Sequence, residues 1–299
     1  MHNHQPHPTP TPLVVQASGV RPVLKWARGK GRLLEQLLPR LPADVRRRRF
    51  IEPFAGGLAL FFALEPEAAL IGDANPALVC TYRALARAPE DVIQELERLA
   101  ELYEVDAHRT YYGVRDFYND PIFWGSFFDD AERAAAFIFL NRTGFNGLHR
   151  VNRKGAFNVP LGSRKKREAI VDRMRILRAS TVLRRALVLE ADFAELCALA
   201  APGDVVYLDP PYDTGEASAG FTAYAGAFTW EDQRRVASTF YELAARGVHV
   251  LASNAATPRI RDLYAGASMV EIMAPRTLAP KGAARVQARE ILTWAAPRE

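Results

Sequence analysis

The run Val205-Val206-Tyr207-Leu208-Asp209-Pro210-Pro211-Tyr212 constrains this chain more than any other stretch. A short apolar segment bounded by Asp204 and Asp209 reads as a buried strand of a parallel sheet. It ends in an acid, two prolines and an aromatic, at the strand end where open α/β sheets place their ligands. Each piece suits chemistry on a planar exocyclic amine. The Asp209 carboxylate can accept a hydrogen bond from the amine. Pro210 and Pro211 fix their own φ and restrict the residue before each, so the Asp209–Pro210 carbonyl region cannot recoil. Tyr212 offers a face on which a ring can stack. Two acceptors aimed at one NH2 draw its lone pair out of conjugation and towards an electrophile. The plainer reading is an acid that closes a strand before a Pro-Pro turn, and the neighbouring motifs argue against it.

At 299 residues, with 49% hydrophobic and 24% charged residues, the composition is that of a soluble globular protein with a substantial core. Lys and Arg number 39 against 34 acids, giving +5, so where the positive charge lies matters more than its sum. It bunches at 46–49, 164–167 and 184–185; taken singly, each run suits a solvated face better than a phosphate site. Cys80 and Cys197 make no disulfide framework and have no metal-ligand spacing, so a reducing, cytoplasmic setting is expected. Residues 1–20, rich in Pro and Thr, read as a disordered tail without a secretory apolar core. No stretch has the apolar length of a membrane span.

Beyond the tail, Leu33, Leu34, Leu37 and Leu38 predict an amphipathic helix stopped by Pro39 and Pro42. Phe50-Ile51-Glu52 is a short strand, followed by the turn Pro53 to Gly57, a helix from Leu58 to Leu64, the strand Ala69 to Gly72 and the turn Asp73 to Pro76. Together they make half of a nucleotide-binding α/β fold. Helical periodicity then dominates from about Leu78 to Arg178, broken by an island from Asn141 to Gly162. The α/β rhythm resumes with Leu187 to Leu189, a helix after Asp192, the Asp209 strand, a helix from Glu231 to Ala245 and the strand Val248 to Ala252. Met269 to Met273 and Glu290 to Trp294 are expected to close the sheet as an antiparallel pair. The division expected is a catalytic domain over 21–80 and 187–299, with an inserted segment over 81–186.

Phe54-Ala55-Gly56-Gly57 at a strand-to-helix turn lets a ligand approach the backbone closely. Asp73 ends the next strand, where an acid can bind a ribose diol. The G-x-G-x-x-G of dinucleotide folds is absent, which leaves S-adenosylmethionine ahead of NAD. Six motifs then occur in order: Lys25 to Lys30, Glu52-Pro53-Phe54, Asp73-Ala74-Asn75, Asn141 to Leu148, Gly155 to Pro160 and Asp209 to Tyr212. Together they resemble the Dam-type DNA adenine methyltransferase family, in the arrangement with the target-recognition segment between cofactor and catalytic motifs. The resemblance spans nearly all of 21–295. It implies a Rossmann-like methyltransferase sheet, mostly parallel with an antiparallel edge, carrying an inserted, mainly helical target-recognition domain with a β-hairpin. It also implies S-adenosylmethionine, and no metal, with Trp26 and Lys30 on the cofactor, Phe54 and Gly56 lining its pocket, Asp73 on its ribose and Asp209 facing cofactor and base. Asp192 and Phe193 resemble the family's acid-aromatic step near the cofactor's adenine, although Asp192 reads equally well as a helix N-cap. Two positions depart from the family pattern. Arg28 and Leu58 stand where glycine is usual, the second expected to tighten the turn.

The island carries Arg142, Arg150, Arg153 and Lys154 among asparagines and glycines, whose steps favour a hairpin. Arg can pair with guanine edges and Asn with adenine edges in a major groove, which brings in Asn152 and Asn158. By composition alone it is a basic surface loop anchored by Phe145 and Leu148. The resemblance places Arg150, Leu148 and Pro160 on base-reading positions, Phe145 and Asn146 at a displaced base pair and Lys25 on a further base contact. This implies a GATC-like target in double-stranded DNA. His149 is read as a flank rather than a ligand. Phe221 to Tyr224, Phe228 and Thr229 resemble the loop beyond the catalytic motif, with 215–220 as a link that orders over a flipped base. Ser253-Asn254 reads as pocket support or as a turn cap.

The function expected is methyl transfer to adenine N6 of a base turned out of the duplex, by a monomer, with a restriction endonuclease as a separate partner if the chain serves restriction-modification. Two alternatives stay open: an RNA or protein N-methyltransferase on the same fold, and a non-catalytic DNA-binding protein on a decayed one.

Overall fold

The computed structural model describes residues 19–26, 31, 33–213, 228–275 and 287–296. Arg28, Lys30, the link 215–220 and Phe221 to Tyr224 lie outside the described residues, as does most of the expected tail.

The chain opens with α1 (Leu34–Leu37), a single turn continued by a 3-10 turn where Pro39 removes a donor. Then come β1 (Arg49–Glu52), α2 (Ala59–Leu64), β2 (Ala68–Asp73) and α3 (Pro76–Arg87). The helical stretch contains α4 (Pro89–Val105), α5 (Ala107–Tyr118), α6 (Asp130–Thr143), α7 (Arg167–Ile170) and α8 (Arg173–Leu183). It returns to the sheet through β3 (Ala186–Glu190), α9 (Phe193–Ala198), β4 (Val205–Leu208), α10 (Trp230–Ala245), β5 (His249–Ala255), α11 (Pro258–Leu263), β6 (Ser268–Pro275) and β7 (Gln287–Ala295).

The strands form one sheet in the order β3-β2-β1-β4-β5-β7-β6. The first five are parallel, and β7 pairs antiparallel with both β5 and β6. The chain winds outward from β1 through β2 to β3, then crosses back to β4 beside β1. The connections therefore part between β1 and β4, which opens a crevice at the carboxyl ends of those strands. All four residues of β4 are buried, as expected for a strand covered on both faces.

Side chains alternate between two cores. Ile51, Leu70, Val206, Val250 and Ala252 face α9, α10 and α11 through Leu196, Phe240, Leu243 and Ile260. Phe50, Ile71, Val205, Tyr207 and Leu251 face the other way, into a core continuous with Leu78, Tyr82, Leu96, Tyr103 and Ile138 of the helical stretch. Its centre is α6, buried from Ala134 to Thr143, a helix apolar enough all round to be surrounded by others. Asp129 and Glu132 cap its start in a reciprocal box.

The far end of α6 corrects the sequence reading. Asn141, Arg142 and Thr143 are its last turn, not the start of a loop. Arg142 is buried and donates to the carbonyls of Val23 and Ala169, so it does not belong to the exposed basic surface. The hairpin that follows is short: Val151 and Phe157 form a single antiparallel bridge, and Gly144 with Leu161 another.

Candidate active site

The crevice is a cavity of about 720 Å³ lined by residues from both halves of the sheet and from the hairpin. Trp26, Phe54, Gly56, Asp73, Asp192, Phe193 and Asp209 to Tyr212 all line it, although they are scattered over some 190 positions of sequence. The wall also includes residues that the sequence did not assign to it: Glu52, Tyr118, Trp124, His149 and Lys154.

On the β1–β2 side, Phe54 stacks on Phe193 with centroids 5.1 Å apart, and Phe228 meets it edge-on at 6.0 Å. Gly56 has φ +44°, and a Cβ there would lie 2.8 Å from Cδ1 of Trp26, so only glycine fits beneath the indole. The Tyr82 hydroxyl donates to the Gly56 carbonyl at 2.6 Å and fixes the turn from behind. Leu58 adopts the left-handed conformation that a glycine would take freely, φ 55° and ψ 37°, and its side chain is fully packed. The turn thus keeps its left-handed geometry, and burial of the leucine offsets a conformational cost of about 1–2 kcal/mol. The Asp73 carboxylate accepts from the backbone N–H groups of Gly56 and Asn75 at 3.2 and 2.9 Å. Its enclosure pushes its carboxyl up to about 6. Glu52 is buried, and its Oε2 has no hydrogen-bond partner among the described residues. Burial first, then the charge of Asp209, hold its carboxyl well above the usual range.

Asp192 is the N-cap of the sequence reading, and it also lines the cavity. It caps α9 in a box with Glu195 and pairs with Arg235 at 2.8 Å.

On the β4–β5 side, the Asp209-to-Tyr212 turn is tied down from several directions. Ser253 Oγ donates to Asp209 Oδ1 at 2.7 Å, and Tyr207 and Ser253 hydroxyls lie 3.0 Å apart. Gln233 Nε2 donates to the Pro211 carbonyl at 2.7 Å, and Asn254 Nδ2 donates to Gln233 Oε1 at 2.8 Å. The Asp213 N–H donates to Asn254 Oδ1 at 3.2 Å. The Tyr212 hydroxyl donates to Glu290 Oε2 at 2.8 Å; burial, then Asp209 and Glu290, hold that phenol well above its ordinary value. Ser253 and Asn254 lie inside β5 and turn their side chains to this loop, so they support the pocket rather than cap a turn.

The residues that the resemblance assigns to base reading cluster around the hairpin. The Asn141 side chain accepts from the Lys25 N–H at 2.8 Å and donates to the carbonyls of Lys25 and Gly147 at 2.7 and 3.1 Å. Lys25 itself is exposed, and burial of its stem, then Lys165, Arg142 and Arg175, lower its pKa. Phe145 is 49% exposed, Asn146 has φ 55°, Leu148 packs on the main core, and Pro160 is exposed. Arg150 donates from Nε to Asn158 Oδ1 at 2.8 Å and from Nη2 to the Asn158 carbonyl at 3.0 Å. The Asn152 side-chain oxygen accepts from the N–H groups of Lys154 and Ala156, so that oxygen builds the turn. His149 stacks on Trp26, centroids 5.5 Å apart, and burial lowers its pKa to about 4. No group of acids, histidines and cysteines among the described residues has metal-binding geometry.

Fold and site together define a doubly wound α/β protein with a cavity at its topological switch point, flanked by a basic hairpin. Residues 26–278 match the model of the D12 class of N6 adenine-specific DNA methyltransferases, and the chain belongs to that family. It is 37% identical over 280 residues to a DNA adenine methylase of Vibrio cholerae, covering 93% of this chain and 96% of that protein. A type II methyltransferase of Lactococcus lactis subsp. cremoris is 36% identical, with 91% and 94% covered. The DNA adenine methylase of Escherichia coli K12 is 31% identical, with 93% and 96% covered. The protein is thus an adenine-specific DNA methyltransferase, and membership of the family implies S-adenosylmethionine as the methyl donor. No helix among the described residues is long and apolar enough to cross a membrane.

Proposed function

We propose that this enzyme methylates N6 of an adenine turned out of double-stranded DNA within a GATC-like site, with Asp209, Pro210 and Tyr212 receiving the base. The observation that carries the reading is the meeting of Asp73 and Asp209 in one cavity, from the ends of β2 and β4, on either side of the switch point.

The cofactor half of that cavity fits S-adenosylmethionine. A buried carboxylate oxygen of Glu52 lacks a partner where an ammonium needs one, Asp73 can accept from a ribose diol, and Phe54 with Phe193 forms an aromatic wall for the adenine. Bound there, the donor supplies a sulfonium methyl, an already activated electrophile that needs no metal. This chain's own residues then do the rest. Asp209 accepts from one amine proton, and the Pro210 carbonyl region takes the other. Tyr212, anchored through its hydroxyl to Glu290, presents its ring to the base. Turning the base out costs a few kcal/mol, offset by stacking and hydrogen bonds in the pocket.

The recognition half rests on the hairpin. Asn158 engages the Nε side of Arg150, which stiffens a guanidinium suited to a guanine edge. Lys25 and Lys165 lie close enough to repel, a field that a phosphate would relieve. A single chain supplies both halves, which supports a monomer as the acting unit and the division into 21–80 with 187–299 and an inserted 81–186. A cognate endonuclease, where one exists, would act separately.

The test is methylation-sensitive sequencing of DNA from a methylation-deficient host expressing the chain. Modified adenines confined to GATC-like sites are expected. Modification elsewhere would overturn the target assignment, and methylation of the adenine duplex with no fluorescence rise on a separate, otherwise identical duplex carrying 2-aminopurine at the target would overturn base flipping.

A further inference from the structure

We propose that Ser253 is a positioning residue for methyl transfer, holding Asp209 in place as the middle member of a one-way hydrogen-bond chain that starts at Tyr207. The inference rests on Asp209 being the acceptor for the target amine.

The direction of the chain follows from counting protons. Ser253 Oγ lies 2.7 Å from Asp209 Oδ1, and an ionised carboxylate can only accept, so the serine proton points to Asp209. Ser253 has no second proton, so the Tyr207 hydroxyl 3.0 Å away must donate to it. Tyr207 and Ser253 are fully buried, which excludes water as a substitute for either partner. Burial, with the nearby carboxylates, keeps the Tyr207 phenol protonated. The strand register sets up the contact: Tyr207 on β4 lies opposite Leu251 on β5, and Ser253 follows two residues on, on the same face.

The surroundings explain why such a donor is needed. Asp209 sits among other acids: Glu52 feels its charge, and Tyr212 lies between the fields of Asp209 and Glu290. A carboxylate on a side chain with two rotatable bonds gains a preferred orientation from each donor that meets it. The neutral donor on Oδ1 supplies one, and the chain behind it polarises that donor. Ser253 touches no reacting atom, so its effect should appear in the rate and not in binding.

Single-turnover methylation of duplex DNA at saturating cofactor tests this. Ser253→Ala should slow the step about 10- to 100-fold, the scale of a small misplacement of a catalytic group, with DNA and cofactor affinities within about twofold of the parent. Ser253→Thr, which keeps the hydroxyl, should recover most of the rate. Tyr207→Phe should slow it less, and the double variant should be no slower than Ser253→Ala, since both act through one chain. A parental rate for Ser253→Ala, or a loss matched by lost DNA affinity, overturns the proposal. If Ser253→Ala does not fold, Tyr207→Phe at the parental rate overturns it equally. Asp209→Ala serves as the reference: an active Asp209→Ala sinks the assignment of Asp209, whereas an inactive one beside a fully active Ser253→Ala sinks only the role of Ser253.

Discussion

The cleft and the hairpin are built on opposite plans. In the cleft, functional groups stand at the ends of buried parallel strands and each is held by a neighbour from another element: Asp73 by Gly56, Asp209 by Ser253, Tyr212 by Glu290. In the hairpin, two isolated bridges and a few turn bonds hold the backbone, and side chains such as Phe145 stand half in solvent. On the proposed function, the difference separates rate from reading. Methyl transfer demands fixed geometry before the substrate arrives. Reading a duplex demands a rigid backbone with tips that can adapt to a groove.

The contrast breaks first, if it breaks, at Asp209. Asp209→Ala should lower single-turnover methylation by about 10³-fold or more, with the melting temperature little changed. An active variant, or one that merely unfolds, would mean the cleft is not the rate-setting region. Next comes the cofactor turn. Gly56→Ala adds a Cβ at positive φ against Trp26, and calorimetry should show cofactor affinity reduced about 10- to 100-fold. Retained DNA affinity in the same variant would sharpen the separation of the two regions.

Arg150→Ala should cost about 1–3 kcal/mol on the cognate duplex and relax discrimination at one base pair. Equal weakening on every duplex would make it a phosphate contact and erase the reading role. Protonation of Asp73 gives a graded test. With its carboxyl raised to about 6, it is ionised above that pH and able to accept from a diol. Cofactor affinity should stay level above pH 7 and fall towards tenfold per pH unit below the titration, as protonation removes the acceptor. A flat profile from pH 5 to 8 would remove Asp73 from the ribose site.

The smallest effect concerns the basic run 164–167. Taken singly, this run suits a solvated face, and two of its members are engaged within the protein: Arg164 donates to the Glu104 carbonyl and Arg167 pairs with Glu101, both on α4. Only Lys165 and Lys166 are left for DNA. Replacing both with alanine should weaken all duplexes alike and lower the salt slope by about one to two. A larger drop in slope would mean that the arginines leave α4 on binding.

Most of the sheet was legible because a strand buried on both faces must be apolar along most of its length, as 205–208 and 250–252 are. The acids that end β2 and β4 could be placed from that alone. What local pattern could not show is pairing across more than a hundred residues. Asn141-Arg142-Thr143 is polar enough to read as loop, but Val23 and Lys25 supply its partners, and so it closes a helix. The same blindness hid Ser253 as the donor to Asp209 and left Glu52 a motif letter rather than a buried acid with an orphan oxygen. His149, read as a flank, proved part of the cavity wall because Trp26 stacks on it.

That stack has a thermodynamic side. Trp26 rests on Gly56 and Gly57 of the cofactor turn and on His149 of the hairpin, while the backbone of Lys25 is bonded to Asn141. On the proposed reading, cofactor and DNA share a partition one residue thick. Any displacement of the indole by the first ligand changes the free energy with which the second is received, and linkage makes the exchange symmetric. Whatever factor S-adenosylmethionine contributes to DNA affinity, DNA must return to S-adenosylmethionine. The two orders of addition are then thermodynamically equivalent and can differ only in speed.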